Sequence, residues 1–344
     1  MVERAHTIAE DVLFPAALEV DARGVVPRSH FDLLAAQGFY GLAAEPERSG
    51  IEVDFPAFVN ILETLSGGCL TTTFTWIQHH SVVRGLTGTA NADVREKYLD
   101  AVTRGELRGG VAFAGAIPQP PRLWATATDG GWLLNGEAPF VTGWGIIDVL
   151  QISARNTALR AGQSTGTIVT GLVDAQAGGG ITVEELHMVA AQGSNTVRLR
   201  FADYVLPAEK VTADISYGDF LAKQVKSLRP SGCLAMGVAG RCIRMIGEAG
   251  RLQVAELLHV EHGVIRDRLD AGLDDPETLP AARAAASELA YRAAGALVVA
   301  VGSSGILARQ HAQRLVREAT FTLVAAGRPE IKDNLLTAFG RGHG

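Results

Sequence analysis

The hydrophobic pattern of this chain changes its period twice, and that double change limits the folds open to it. In residues 1–109, apolar residues recur every three or four positions, as in HFDLLAAQGFYGL, which is the spacing of amphipathic helices. Residues 110–212 consist of short β-type runs separated by Gly, Asn and Asp, and from residue 213 the helical spacing returns. We therefore predict an α+β fold with an N-terminal helical domain (1–109), a middle antiparallel β domain (110–212) and a C-terminal helical bundle (213–344).

The strand pattern is clearest in residues 197–202. There Val, Leu and Phe alternate with Arg, Arg and Ala. Because successive side chains of a strand point to opposite faces, this alternation predicts a strand with one buried and one solvated face, as antiparallel sheets often have.

Composition excludes several classes of partner. The net charge of -6, with no basic stripe, argues against nucleic acid, which requires clustered Lys and Arg. Acidic residues interrupt the first twenty positions, which predicts an amphipathic helix rather than a signal peptide, and we expect no membrane span. The three cysteines share no metal-type spacing, so we expect a reducing, cytoplasmic setting and no metal site.

Five stretches of the sequence carry motifs in a fixed order. They are LAAQGFYGLAAEPERSGIEVDFPAFVNILETLSGGC, GTANADVREKYLDAVTRGEL, LNGEAPFVTG, LHMVAAQGSNTVRLRFADYVLPAEKV and VGSSGILARQHAQRLVREATFTLVAAGRPEIKDNLL. Together they resemble the flavin-dependent acyl-CoA dehydrogenase family. The resemblance implies the same three-part fold, a homodimer or homotetramer with a heteromer as the alternative, and a flavin-dependent oxidoreductase acting on an acyl-CoA or carrier-bound acyl group.

The resemblance also implies where the flavin ring lies. An aromatic residue and a Thr hydroxyl of one strand contact the ring in the family, and a second strand holds its pyrimidine edge. Since the second segment lacks the family's Thr and Glu side chains here, its backbone N–H groups are the donors that remain. The matching positions of this sequence are Phe140, Val141 and Thr142 in the first segment and Phe113, Gly115 and Ala116 in the second.

The contacts to the dinucleotide half of the cofactor match the family less well. Relatives use an Arg-x-x-Phe-Gly motif and a Gln before Gly-Gly-x-Gly to reach a neighbouring subunit's FAD. This sequence has no Arg-x-x-Phe-Gly, and the Gln position is Val299, although Gly302 and Gly305 remain. We expect FAD as the cofactor, held differently or with contacts from a partner subunit, with FMN as the alternative.

The catalytic base is the largest departure from the family. In most relatives a Glu immediately precedes the break between the last two helices, and in LVAAGRPEI that position is Ala326. Alanine cannot accept a proton, so the base is unassigned. His79 and His80 are candidates, because their helix would face the substrate cavity in relatives, and core or surface histidines are the alternative interpretation. Glu330, about one helical turn past Ala326, is a further candidate only if the last helix begins differently from the family pattern. Arg122, beside the second flavin segment, is either a contact for a phosphate or carboxylate or a solvated surface residue.

Two other functions are compatible with the missing base. A flavin-dependent monooxygenase on the same fold uses reduced flavin and oxygen and needs no carboxylate to remove an α-proton. Alternatively, the chain is a non-catalytic subunit of a heteromer, in which a partner that carries the base completes the site.

Overall fold

A computed structural model describes residues 1–158, 166–325 and 327–340 of the chain. Its helices form two groups that flank the strands in sequence. The first group is α1 (Val2–Ile8), α2 (Phe14–Arg23), α3 (Arg28–Ala36), α4 (Pro46–Ser49), α5 (Phe55–Gly68), α6 (Leu70–Ile77), α7 (His79–Thr87) and α8 (Ala92–Thr103). The second group is α9 (Tyr217–Lys226), α10 (Leu228–Glu248), α11 (Leu252–Ala271), α12 (Leu279–Val301), α13 (His311–Val324) and α14 (Pro329–Gly340).

The first helices begin and end where local chemistry requires it. A π-helical segment, Ala9–Leu13, joins α1 to α2, so the N-terminal residues form the amphipathic helix that was expected, and they bury one apolar face. Gly24, in the left-handed region at φ 63°, ends α2. The side chains of Asp54 and Asn91 accept backbone hydrogen bonds at the starts of α5 and α8, which satisfies N–H groups that the helices leave unpaired.

The strands form one eight-stranded sheet within the described residues. Its order is β6-β7-β3-β2-β4-β5-β8, with β1 paired to β4. The strands are β1 (Gly109–Ala112), β2 (Leu123–Thr128), β3 (Gly131–Val141), β4 (Val149–Asn156), β5 (Thr167–Asp174), β6 (Ile181–Glu185), β7 (Val197–Pro207) and β8 (Val211–Ser216).

The sheet is mixed, whereas an antiparallel sheet was expected. β1 runs parallel to β4 over four residue pairs, and β2 meets β4 in parallel at Trp124 and Arg155. The alternation of apolar and polar residues is the same in parallel and antiparallel strands with one solvated face, so the sequence pattern could not distinguish the two pairings. The expected pattern of β7 is confirmed, because Val197, Leu199 and Phe201 are buried in the sheet core.

The C-terminal helices pack around a core rich in Ala and Leu, to which α10, α12 and α13 contribute. One segment, Pro276–Val301, is long and apolar enough to cross a membrane by length and composition. It includes α12, which packs against α10, α11, α13 and α14 within the bundle. The contacts with these helices make α12 the central helix of this bundle. Its small residues allow the neighbouring helices to approach closely.

Candidate functional site

Phe140 is the most unusual aromatic residue of the sheet. It lies near the end of β3, is 65% exposed, and has a φ of 56°, which is rare for a residue with a side chain. The pairing of β3 with β7 shifts its register between Ala138 and Val141, and such bulges redirect side chains. The bulge therefore turns the Phe140 ring to the surface, while its neighbour Val141 stays in the core.

The hydroxyl of Thr142 belongs to a buried chain of three hydroxyl groups. It lies 3.2 Å from the Thr196 hydroxyl, which lies 2.8 Å from that of Ser194. The Gly143 N–H also donates to the Ser194 carbonyl at 2.8 Å, so the two segments are joined by backbone as well. Thr142 is thus held in one place beside Phe140, with a hydroxyl that can donate or accept.

The loop 113–118 follows β1, and several of its carbonyl groups accept hydrogen bonds from other residues of the protein. The Phe113 carbonyl accepts from the Ala116 N–H at 3.0 Å, and the Gly115 carbonyl accepts from two successive N–H groups at the start of β2. The carbonyls of Ala116 and Ile117 also have donors. In contrast, the N–H groups of Gly115 and Ile117 make no hydrogen bond to any residue that the structure describes. These two donors are available to a ligand.

Gly115 is required by the distance between the loop and β3. A Cβ at this position would lie 2.2 Å from the carbonyl oxygen of Glu137, three residues before Phe140. No side chain fits in that space, so only glycine lets the loop contact the strand. This contact brings together the two segments that the sequence assigned to the flavin.

His79 and His80 do not meet the requirements of a base. His79 Nε2 donates to the Val102 carbonyl at 2.9 Å, and its Nδ1 accepts from the Gly109 N–H, so both ring nitrogens are occupied. His80 contacts the Phe39 carbonyl, and both rings are buried. Burial lowers the pKa of each to about 3. Both rings thus have the contacts of core histidines, and periodicity alone does not tell whether a helix face meets a cleft or the core.

The end of α13 precedes position 326, at which the resemblance implied a catalytic base. Ala326 itself lies outside the described residues. The helix ends at Val324, whose carbonyl accepts from the Gly327 N–H at 3.2 Å, and α14 begins at Pro329. Gly and Pro therefore produce the break that the sequence predicted.

A buried arginine of α12 binds the end of α13. Arg283 donates to the carbonyls of Thr322 at 3.2 Å and Ala325 at 3.3 Å, and it also bonds the Ser287 hydroxyl. Ser287 in turn donates to Thr322 at 2.7 Å. Burial lowers the pKa of Arg283 to about 10, so the group stays cationic at neutral pH. Its charge opposes the negative end of the α13 dipole, which stabilises this helix end.

Arg122 lies at the edge of a groove of ≈510 Å³ on the outer face of β3 and β7. Its guanidinium is 3.6 Å from Glu137, which also faces Arg198 and Arg200. Arg198 and Arg200 bind Glu184 at 2.8 and 3.0 Å. Three arginines thus face two glutamates here, and Arg122 is the one that adjoins the loop 113–118.

Gly302 and Gly305 lie in the C-terminal bundle, beside α12. A side chain on Gly302 would meet no atom within 4 Å, whereas one on Gly305 would lie 3.1 Å from the Val298 carbonyl. Val299 is exposed next to them. This surface is open to a neighbouring molecule.

Several residues that shape the site were not identified from the sequence. Arg155 and Tyr217 bind the loop 113–118 from the protein side, and Thr196 holds Thr142. No motif in the sequence marks them, because each acts on a segment far away in the chain. Within the described residues, no group of three or more His, Cys, Asp or Glu side chains has the arrangement of a metal site.

Comparison with known proteins agrees with this architecture. Residues 1–106 match the family model for the acyl-CoA dehydrogenase N-terminal domain. The chain is 23% identical over 364 residues to the mitochondrial 2-methylacyl-CoA dehydrogenase of Solanum tuberosum, covering 96% of this chain and 87% of that protein.

Two solved structures have the same fold. Butyryl-CoA dehydrogenase from Megasphaera elsdenii aligns with a TM-score of 0.83 at 19% identity, covering 99% of this chain and 97% of that one. PigA with FAD and proline aligns with a TM-score of 0.80 at 18% identity, covering 98% and 96%. The fold class predicted from the sequence, with helical domains on either side of a β domain, is thereby confirmed. Residues 1–106 therefore carry an acyl-CoA dehydrogenase N-terminal domain, and over nearly its whole length the chain is similar in sequence to acyl-CoA dehydrogenases and has their fold.

Proposed function

We propose that the chain binds FAD between Phe140 and the loop 113–118 and oxidises an acyl thioester carried by CoA or a carrier protein. The observation that carries the proposal is the exposed, left-handed Phe140, on a strand that the loop 113–118 contacts through Gly115, together with the Gly115 and Ile117 N–H groups, which have no acceptor among the described residues. A left-handed residue with a side chain is costly, and an exposed ring gains little from the protein core. A flat ligand against Phe140 accounts for both features.

The residues present fit a flavin by their chemistry. Phe140 offers a flat apolar neighbour, the Thr142 hydroxyl offers a donor, and the N–H groups of Gly115 and Ile117 suit the carbonyl-rich pyrimidine edge. When bound, the cofactor supplies hydride acceptance. The protein's part is to hold the ring, to fix the Thr142 hydroxyl through Thr196, and to exclude water.

The acyl carrier fits the groove beside the site. CoA and the phosphopantetheine arm of a carrier protein both bear phosphate, and arginine binds phosphate well. Arg122 is exposed at the groove and adjoins the flavin-binding loop, so it is the residue we assign to this contact.

The alanine at position 326 limits the rate of the proposed reaction. Removal of an α-proton requires an acceptor within reach of the α-carbon, and alanine supplies none. We therefore propose that the proton passes to solvent or to a group on a partner subunit, and that turnover with simple acyl-CoA substrates is slow. The buried free thiols of Cys69, Cys233 and Cys242 are consistent with a cytoplasmic setting, which we also propose.

The test begins with the visible absorbance spectrum of the purified protein and mass identification of any released flavin. An acyl-CoA series is then added without oxygen, and loss of flavin absorbance is followed. We expect bound FAD and slow bleaching with at least one chain length. The variant F140A is expected to lose flavin, whereas V205A, which truncates another exposed apolar residue of the sheet, retains it.

Other outcomes identify other functions. Oxygen consumption with supplied reduced flavin, and no bleaching by any acyl-CoA, would assign the chain to the monooxygenases of this fold. Protein that is flavin-free alone and gains flavin only with a second chain would assign it to a heteromer. Either result contradicts the proposed acyl thioester oxidation by this chain alone.

A further inference from the structure

Arg155 is a buried cation that has no counter-ion among the residues that the structure describes. It lies in β4, is 4% exposed, and has no carboxylate within ion-pair distance in residues 1–158, 166–325 and 327–340. Burial of an unpaired charge is costly, so such a residue is retained only where other groups satisfy it. Its partners therefore show what it does.

The partners of Arg155 are two carbonyl groups of the loop 113–118. Its Nε and one terminal nitrogen donate to the Ala116 carbonyl at 3.1 and 2.7 Å, and the same terminal nitrogen donates to the Ile117 carbonyl at 3.1 Å. The guanidinium stacks on the Tyr217 ring, 3.4 Å from its centroid. The Tyr217 hydroxyl also donates to the Ile117 carbonyl at 2.8 Å. Arg155 and Tyr217 thus form a clamp on two successive residues.

The clamp determines the direction of one free N–H group. In a trans peptide the C=O of one residue and the N–H of the next point in opposite directions. Because the Ala116 carbonyl points to Arg155, the Ile117 N–H points away from it. The Ile117 N–H is a loop donor without an acceptor in the part of the chain that the structure describes.

We infer that Arg155 is a positioning residue for the flavin, which it serves by fixing the loop so that the Ile117 N–H faces the cofactor. The inference rests on the proposed flavin site. A planar guanidinium suits this task because its fork can bond two adjacent carbonyls at once, whereas an ammonium group cannot reproduce that geometry. Tyr217 is the first residue of α9, so its hydrogen bond to the Ile117 carbonyl connects the same loop to the C-terminal helices.

The test compares R155M, R155K and Y217F with the wild-type protein by three measurements. Hydrogen exchange of the peptide covering residues 113–118, in the flavin-free protein, reports the clamp itself. The dissociation constant for FAD and the visible circular dichroism of bound FAD report its effect on the cofactor. Y217F keeps the stacked ring, so it provides a milder variant should R155M fold poorly.

We expect R155M to speed exchange in the loop and to weaken FAD binding roughly tenfold, the effect of about one lost hydrogen bond to a ligand. R155K should bind FAD more tightly than R155M but less tightly than the wild-type protein, because lysine keeps the positive charge and lacks the forked guanidinium group. Y217F should change the loop exchange rate and the FAD affinity in the same directions as R155M, but by less. The visible circular dichroism of bound FAD should change in R155M, since the loop would contact the flavin ring in a different geometry.

The matched control is R241M. Arg241 is also buried, stacks on Phe14 with its guanidinium 4.0 Å from the ring centroid, and donates to the Gly67 carbonyl at 2.8 Å, but it joins α10 to the N-terminal helices. We expect R241M to lower the melting temperature and to leave FAD affinity unchanged. A purely structural role for Arg155 predicts that R155M behaves like R241M.

The possible failures are distinguishable. Unchanged exchange in the loop of R155M would refute the clamp whether or not the protein binds flavin. Faster exchange with unchanged FAD affinity would refute positioning while leaving the proposed flavin site intact. A wild-type protein that binds no FAD would overturn the proposed function, and the cofactor role of Arg155 with it.

Discussion

The Nδ1 atom of His79 accepts a hydrogen bond from the backbone N–H of Gly109 at 2.9 Å, which ties helix α7 to the first residue of β1. The other ring nitrogen donates to the Val102 carbonyl at the end of α8. The ring is therefore neutral, with its proton on Nε2. A proton on Nδ1 would remove the acceptor for Gly109 and break the link between the N-terminal helices and the sheet.

This arrangement predicts that the protein loses stability in mild acid. Burial lowers the pKa of His79 and His80 to about 3 in the folded chain, against 6.5 for an ordinary histidine. Between these values the unfolded chain binds protons that the folded chain does not. The free energy of unfolding should therefore fall as pH decreases below about 6.5, by about 1.4 kcal/mol per pH unit for each such histidine.

Denaturant unfolding between pH 7 and pH 5 measures this loss. His30, His262 and His311 also have a lowered pKa because of burial, so the whole-protein slope includes them. The variant H79Q isolates one contribution, and its slope should be shallower than that of the wild-type protein. A free energy of unfolding that stays constant over this range would contradict the prediction.

The buried arginine that binds the end of α13 gives a second prediction. R283M removes the donors to the Thr322 and Ala325 carbonyls, and it should lower the free energy of unfolding by about 2–4 kcal/mol. S287A should cost only about 1 kcal/mol, because Thr322 keeps its bond from Arg283. The matched control is R292A on the same helix, whose partly exposed ion pairs with Glu288 and Glu261 should contribute less than about 1 kcal/mol. Equal effects of R283M and R292A would show that the helix end does not depend on Arg283.

An apolar stripe on α11 predicts self-association. Leu257, Val260 and Val264 are exposed at helical spacing on one face of that helix. Exposed apolar stripes of this kind commonly bind another protein, and we expect the partner to be a second copy of this chain. L257E/V260E should reduce the mass measured by light scattering after gel filtration, whereas V205E, on the sheet, should leave it unchanged. A monomeric wild-type protein would contradict the predicted homo-oligomer.

The sequence predicted the elements of this fold better than the contacts between them. Periodicity separates helix from strand, and the motif around Phe140 and Thr142 identified the strand end that lies in the candidate site. It could not identify Arg155, because an arginine in a strand pattern is typical of a solvated face and its loop partners lie about forty positions earlier in the chain. The burial of His79 and His80 could not be predicted for a related reason, since a buried polar residue and a residue facing a cleft occupy the same positions in an amphipathic pattern.

The final prediction concerns position 326, where the resemblance stated from the sequence implies a glutamate base and this chain has alanine. A326E should restore a proton acceptor next to the end of α13, which Arg283 and Ser287 hold in place. A positioned general base contributes roughly 10²–10⁴-fold to proton transfer. We therefore expect acyl-CoA to reduce the bound flavin of A326E at least roughly 10²-fold faster than that of the wild-type protein. The control is A326Q, which has the same shape and cannot accept the proton. If A326E and A326Q reduce flavin at the same rate, the missing carboxylate is not what limits this chain, and the monooxygenase or heteromer hypothesis gains support.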